Sequence, residues 1–278
     1  MIRARTLNDL IERYDAFLVD QFGVLLDGAG AYGHARGALD ELHSRGKAVL
    51  LISNSGKRAA ANAARLARFG FSRASYAEVL TSGEVAHVAV GRRLGAGLAR
   101  GSRVWIETTD DSARPLEGLD LVAANRPEQA DLVWIAGCRP LVHSLDDYAR
   151  RLQPAASRGV PAICANPDQT MLTPSGKAFG AGAVAQAYER LGGAVEWFGK
   201  PHAEIYEEAL RRLGRVDRTR VLAVGDSPAH DILGGARVGL ATCLVRTGIH
   251  DGESEAELLA RCEASGVMPD AILPRFAF

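Results

Sequence analysis

Short apolar runs recur along the chain at Phe17–Asp20, Ala48–Ser53, Arg103–Glu107, Asp131–Ala136, Val160–Ala165, Val221–Asp226 and Ala241–Val245, and each reads as a buried strand. Between them lie helical patterns that stop at glycine: Ala35–Arg45 before Gly46, Lys57–Phe69 before Gly70, Ile205–Leu213 before Gly214 and Ile232–Arg237 before Gly239. Glycine just past the last turn is the usual helix stop, because it enters the left-handed region at no steric cost. Strands that alternate with helices predict parallel sheets covered on both faces. A length of 278 residues allows one large or two ordinary domains of this kind.

Composition excludes several function classes. Hydrophobic residues make up 47% and charged residues 24%, which describes a soluble globular chain with ample core. Formal net charge is +0, so nothing points to nucleic acid or an anionic membrane surface as partner. Cys138, Cys164, Cys243 and Cys262 are scattered, with neither metal-type spacing nor the pattern of a secreted disulfide scaffold. No apolar stretch is long enough to span a membrane, and the N-terminus has no signal-peptide core. The expected location is cytoplasmic.

The polar residues that end the strands carry the chemistry. The segment Asp15-Ala-Phe-Leu-Val-Asp20 is an apolar run closed by one carboxylate, with Gln21-Phe22-Gly23 turning away after it. The C-terminal end of a parallel strand is where α/β sheets bind ligands, and a carboxylate there can attack phosphorus. The second strand ends in Ser53-Asn54-Ser55, whose hydroxyl and amide groups can donate to phosphoryl oxygens. The strand Val221–Asp226 ends in another carboxylate, with Asp231 five residues on. Asp20 and Asp226 can hold a hard divalent cation such as Mg2+. Lys200 stands between Gly199 and Pro201, a proline placed to open a helix, and can neutralise charge on both the nucleophile and the transferring group.

Together these residues resemble the four motifs of the haloacid-dehalogenase (HAD) superfamily, whose members mostly hydrolyse phosphate monoesters. Asp20 matches the first motif, Ser53 the second, Lys200 the third, and Gly225-Asp226-Ser-Pro-Ala-His-Asp231 the fourth. The stretch between Ser53 and Lys200 exceeds a simple crossover and implies an inserted cap of the family's second type. Leu80-Thr81-Ser82-Gly83, Ala165-Asn166-Pro167-Asp168, Gly180-Ala181-Gly182 and Gly199-Lys200-Pro201 resemble subclass IIA, the NagD-like and nitrophenylphosphatase-like proteins. The resemblance covers the chain from about Asp15 to Pro274. It implies that Asp20 forms an aspartyl-phosphate, that Ser53 binds the phosphoryl group and that Lys200 positions it. It also implies that Asp20, the backbone carbonyl of Phe22 and Asp226 ligate Mg2+, with Asp231 supporting the metal site indirectly. The expected substrate is a small phosphorylated metabolite. Relatives that dimerise through the cap suggest a homodimer.

Phe22 departs from the family pattern. An Asp normally stands there, protonates the leaving oxygen and later activates water; phenylalanine does neither, although its carbonyl remains. An aromatic at this position also resembles one branch within subclass IIA. The chain is therefore a HAD-type hydrolase of weakened activity, with His202, His230, Asp168 or water in place of the missing acid, a non-catalytic phospholigand-binding or regulatory protein, or a protein that transfers a phosphoryl group through a slowly hydrolysed intermediate. Asp168, within Asn-Pro-Asp, is also expected to face the substrate, as Ser53 and Asn54 are. Simpler roles compete: His202 and His230 as solvated helix-start residues, Asp168 as a turn cap and Asp231 as a helix cap. Trp105, Trp134 and Trp197 are expected as core or cap-edge packing. The fold expected is a doubly wound, Rossmann-like parallel-sheet core from residues 1–83 and 191–278, with an α/β cap at 84–190.

Overall fold

The computed structural model describes residues 1–110, 114–173 and 175–278. The first strands are β1 (Ile2–Arg3), β2 (Ala16–Asp20), β3 (Ala48–Ser53) and β4 (Glu78–Thr81), with helices α1 (Ala35–Ser44) and α2 (Ala59–Arg68) between them. Helix α3 (Ser82–Arg93) leads to β5 (Arg103–Glu107), β6 (Val122–Ala123) and β7 (Leu132–Ile135). Next come α4 (Leu145–Ser157), β8 (Ala162–Cys164), the hairpin β9 (Thr170–Thr173) and β10 (Gly176–Phe179), then α5 (Ala181–Arg190) and β11 (Val195–Trp197). The chain closes with α6 (Ala203–Leu213), β12 (Val221–Gly225), α7 (Leu233–Arg237), β13 (Ala241–Val245), α8 (Glu255–Ala264) and β14 (Ala271–Leu273).

These elements form two compact units. The first comprises residues 1–53, 60–80 and 200–278 and holds a seven-stranded sheet in the order β1-β14-β13-β12-β2-β3-β4. Its central strands run parallel, with Val224 level with Val19 and Asp20 level with Ile52. Strand β2 is buried along its whole length because it lies between two neighbours in a sheet covered on both faces, which is why its sequence is a continuous apolar run rather than an alternating one. Leu7, Phe17, Leu39, Leu51, Leu222 and Phe276 are among the residues of its core.

The second unit comprises residues 54–59 and 81–199. It holds a five-stranded parallel sheet, β11-β8-β7-β5-β6, and the antiparallel hairpin β9–β10. Trp105 and Trp134 are buried within it, and Trp197 packs at the margin of its core with Nε1 donating to Glu189. The units divide at other points than the sequence suggests. Residues 191–199 carry β11, which pairs with β8, so they belong with the second sheet. Residues 54–59 also join it, through Gly83 N–H donating to the Ser55 carbonyl and Thr81 Oγ1 to the Lys57 carbonyl. Helix α6 starts at Ala203, two residues beyond Pro201, so that proline precedes the helix rather than opening it.

Candidate active site

In the first unit, β2 and β12 are hydrogen-bonded neighbours, and their C-terminal ends carry Asp20 and Asp226. The chain after β12 turns through Ser227 into Pro228–Ile232 and returns Asp231 toward the strand end. Gly225 permits that return: a Cβ at this position would fall 2.0 Å from the Asp231 carboxyl carbon. The Gly-Asp-x4-Asp spacing is therefore a packing requirement, since any larger residue would collide with the second carboxylate.

Carboxylate oxygens of Asp20, Asp226 and Asp231 all lie within 4.8 Å of one another, and all three residues are buried. Lys200 is only 3% exposed and joins two of them, with Nζ 2.7 Å from Asp20 Oδ1 and 2.6 Å from Asp231 Oδ1. The second oxygen of Asp231 accepts the Ser227 N–H at 3.1 Å. Tyr206, fully buried, donates its hydroxyl to the Asp231 carbonyl at 3.1 Å and so fixes the returning turn. Ser53 ends β3, immediately beside β2, and is buried at the same edge of the sheet.

Charge balance explains the electrostatics. Burial pushes the Asp20 carboxyl up to about 7, with the Asp231 charge adding to the rise and Lys200 opposing it. Burial also raises Asp226 well above the usual carboxylate range, followed by the charges of Asp20 and Asp231. Burial by itself would lower the Lys200 ammonium, but the two carboxylates outweigh it and hold lysine firmly charged. Three buried carboxylates share one cation, so the cluster carries an excess of negative charge that a hard divalent ion would offset. An all-oxygen donor set of this kind fits Mg2+.

The backbone completes the enclosure of Asp226. Gly23 adopts φ +85°, and a Cβ there would lie 2.0 Å from Asp226 Oδ2, so only glycine lets the turn after Asp20 pass so close. From the loop after β13, Ile249 N–H donates to Asp226 Oδ2 at 2.8 Å, and Thr247 Oγ1 donates to the Gly23 carbonyl. Nothing in the sequence marked Thr247 or Ile249, because their contribution is a loop position rather than a motif.

The remaining sequence-marked residues are placed as follows. Asn54 and Asp168 belong to the second unit, where Asn54 Nδ2 donates to Asp168 Oδ1 at 2.8 Å. His230 is half-buried beside the turn, its N–H donating to Ser227 Oγ at 3.3 Å. Burial lowers the proton affinity of His202, which precedes α6. Phe22 is 44% exposed, with the Arg65 guanidinium 4.7 Å above its ring. Arg65 escaped the sequence reading, since one arginine among many on an amphipathic helix gives no signal of where its head group ends.

Known proteins resemble this chain in sequence and fold. A family described as haloacid dehalogenase-like hydrolase matches residues 17–122, and one described as HAD-hydrolase-like matches residues 197–276. The crystal structure of a hydrolase of the haloacid dehalogenase-like family from Brucella suis 1330 is 30% identical, covers 99% of this chain and 100% of that chain, and superposes with a TM-score of 0.84. Human chronophin is 28% identical over 93% of this chain and 90% of its own length. A glycerol phosphate phosphatase from Mycobacterium tuberculosis, solved in complex with magnesium, is 26% identical over 95% of this chain and 76% of that chain, with a TM-score of 0.73. The chain belongs to the haloacid dehalogenase-like hydrolases.

Proposed function

We propose that this protein is a Mg2+-dependent phosphatase that cleaves small phosphate monoesters through an aspartyl-phosphate on Asp20. The observation that carries the reading is Lys200 held between Asp20 and Asp231, with Asp226 in the same buried cluster. Support comes from the family and from a similar protein, a glycerol phosphate phosphatase solved in complex with magnesium.

Asp20, the carbonyl of Phe22 and Asp226 would hold the metal, with Asp231 fixed behind them by Lys200 and Ser227. Bound Mg2+ supplies positive charge against the phosphoryl oxygens and the cluster's own carboxylates. Lys200 keeps one oxygen of Asp20 in place and neutralises charge as the phosphoryl group arrives. Ser53, at the end of the strand beside β2, would donate its hydroxyl to a phosphoryl oxygen. Phe22 contributes no proton, so neither expulsion of the leaving oxygen nor attack by water on the aspartyl-phosphate receives general acid–base help from that position. Such help is typically worth about 10²–10⁴-fold, and turnover of esters with poor leaving groups is correspondingly slow.

The test is phosphate release by the purified protein with Mg2+ across a panel of phosphate esters. Release is expected to vanish in Asp20→Asn and to rise by about 10²-fold or more in Phe22→Asp. A folded protein that binds orthophosphate but releases none from any ester would instead be the binding-only alternative.

A further inference from the structure

Arg65 is held in place with unusual care for a residue on the flank of a helix. Its Nη2 donates to Gln21 Oε1 at 3.1 Å and to Asn62 Oδ1 at 2.9 Å. Both acceptors are buried, and the guanidinium carbon sits 4.7 Å from the centroid of the Phe22 ring. Arg65 Nε is buried and makes no hydrogen bond to the described residues. Burial lowers its proton affinity and Arg68 adds to that, while the Asp20 charge opposes both. Two of the groups that position it, Gln21 and Phe22, directly follow Asp20 in the chain. The ring that displaces a proton donor is also the platform for a fixed positive charge.

We propose that Arg65 takes over the leaving-group side of the reaction as a permanent cation, stabilising the departing oxygen without protonating it, and that the substrates are phosphate esters whose leaving group is stable as an anion. This rests on the phosphatase reading of the site. An Asp20 oxygen forms its bond to phosphorus as the ester P–O bond breaks, and the bonding pair stays on the departing oxygen. Arginine does not surrender a proton at any working pH, so the oxygen leaves as an anion and is protonated by solvent afterwards. A charge aimed at that oxygen acts only as negative charge develops, which is when it accelerates the step. Acidic alcohols, phenols, enols and carboxylates meet this condition, whereas simple alkyl alcohols do not.

The experiment compares kcat/KM for 4-nitrophenyl phosphate and phenyl phosphate, with Mg2+, in the wild-type protein, Arg65→Gln, Arg65→Lys and Asp20→Asn. Loss of one such electrostatic donor typically costs about 10²–10³-fold, and Arg65→Gln is expected to reduce turnover of phenyl phosphate at least about tenfold more than that of 4-nitrophenyl phosphate. Arg65→Lys is expected to recover part of that ratio. The ratio is taken within one preparation, so a partly unfolded sample does not change it. Should Arg65→Gln fail to fold, Phe22→Leu removes the stacking platform at an exposed position and is expected to shift the ratio in the same direction. Equal losses on both esters would overturn the proposal and leave the phosphatase reading standing. Turnover that survives Asp20→Asn, or no turnover by the wild-type protein, removes that reading and this inference together.

Discussion

At the scale of single residues, Lys200 decides whether the cluster is tolerable. Its ammonium lies within hydrogen-bond reach of both Asp20 and Asp231, and all three side chains are buried. Removing one partner of such a pair strands uncompensated charge, at a typical cost of about 3–5 kcal/mol. Lys200→Met is therefore expected to lower the midpoint of urea unfolding markedly in metal-free protein, and added Mg2+ is expected to restore part of the loss. A midpoint equal to that of the wild-type protein would show that the carboxylates simply take up protons. The sequence made Lys200, Asp20 and Asp226 legible because each ends an apolar strand or borders a proline, and a polar residue there has few structural excuses. Arg65 was opaque for the opposite reason. Its head group lies at the end of a long flexible stem, and where it docks depends on Gln21 and Phe22, which sequence spacing does not connect to α2.

At the scale of elements, the turn after β12 is closely packed against its own strand end. Asp231 folds back so closely that a methyl group on Gly225 would meet its Cβ at 2.2 Å and its carboxyl carbon at 2.0 Å. Neither atom belongs to a flexible tip, because Lys200 and Ser227 N–H hold both oxygens of that carboxylate. Overpacking typically costs about 1–3 kcal/mol, and Gly225→Ala is expected to destabilise by at least that and to displace Asp231 from Lys200. Thermal unfolding and a crystal structure of the variant check both parts; an unshifted Asp231 would refute the steric account. Elements with long apolar runs, such as β3, β5 and β13, coincide with the sequence reading residue for residue. Strands β4, β11 and β14 did not appear in it. Each has only three or four residues, Glu78 opens β4 and Glu196 interrupts β11, so their pairing comes from tertiary neighbours rather than from a local pattern.

At the scale of the whole molecule, two units with separate cores should answer a metal ion differently. The carboxylates suited to Mg2+ all lie in the first unit, whereas Trp105, Val133, Tyr148 and Tyr188 build the core of the second. An ion that binds only the folded first unit stabilises it by mass action, by about 2.7 kcal/mol at 100 times its dissociation constant. That corresponds to about a hundredfold slowing of amide exchange that proceeds through opening of this unit. The expected pattern is therefore local. Amides of β2 and β12, and the Ile249 N–H that already donates to Asp226, are expected to gain protection when Mg2+ is added. Amides of β5, β7 and β8 are expected to exchange at their metal-free rates, since no carboxylate of the cluster belongs to their sheet. Hydrogen exchange read by mass spectrometry, with and without Mg2+, separates the two sheets in one experiment. Equal protection of both would mean that the units unfold as one cooperative body, and no protection in either would mean that the three carboxylates do not hold the ion.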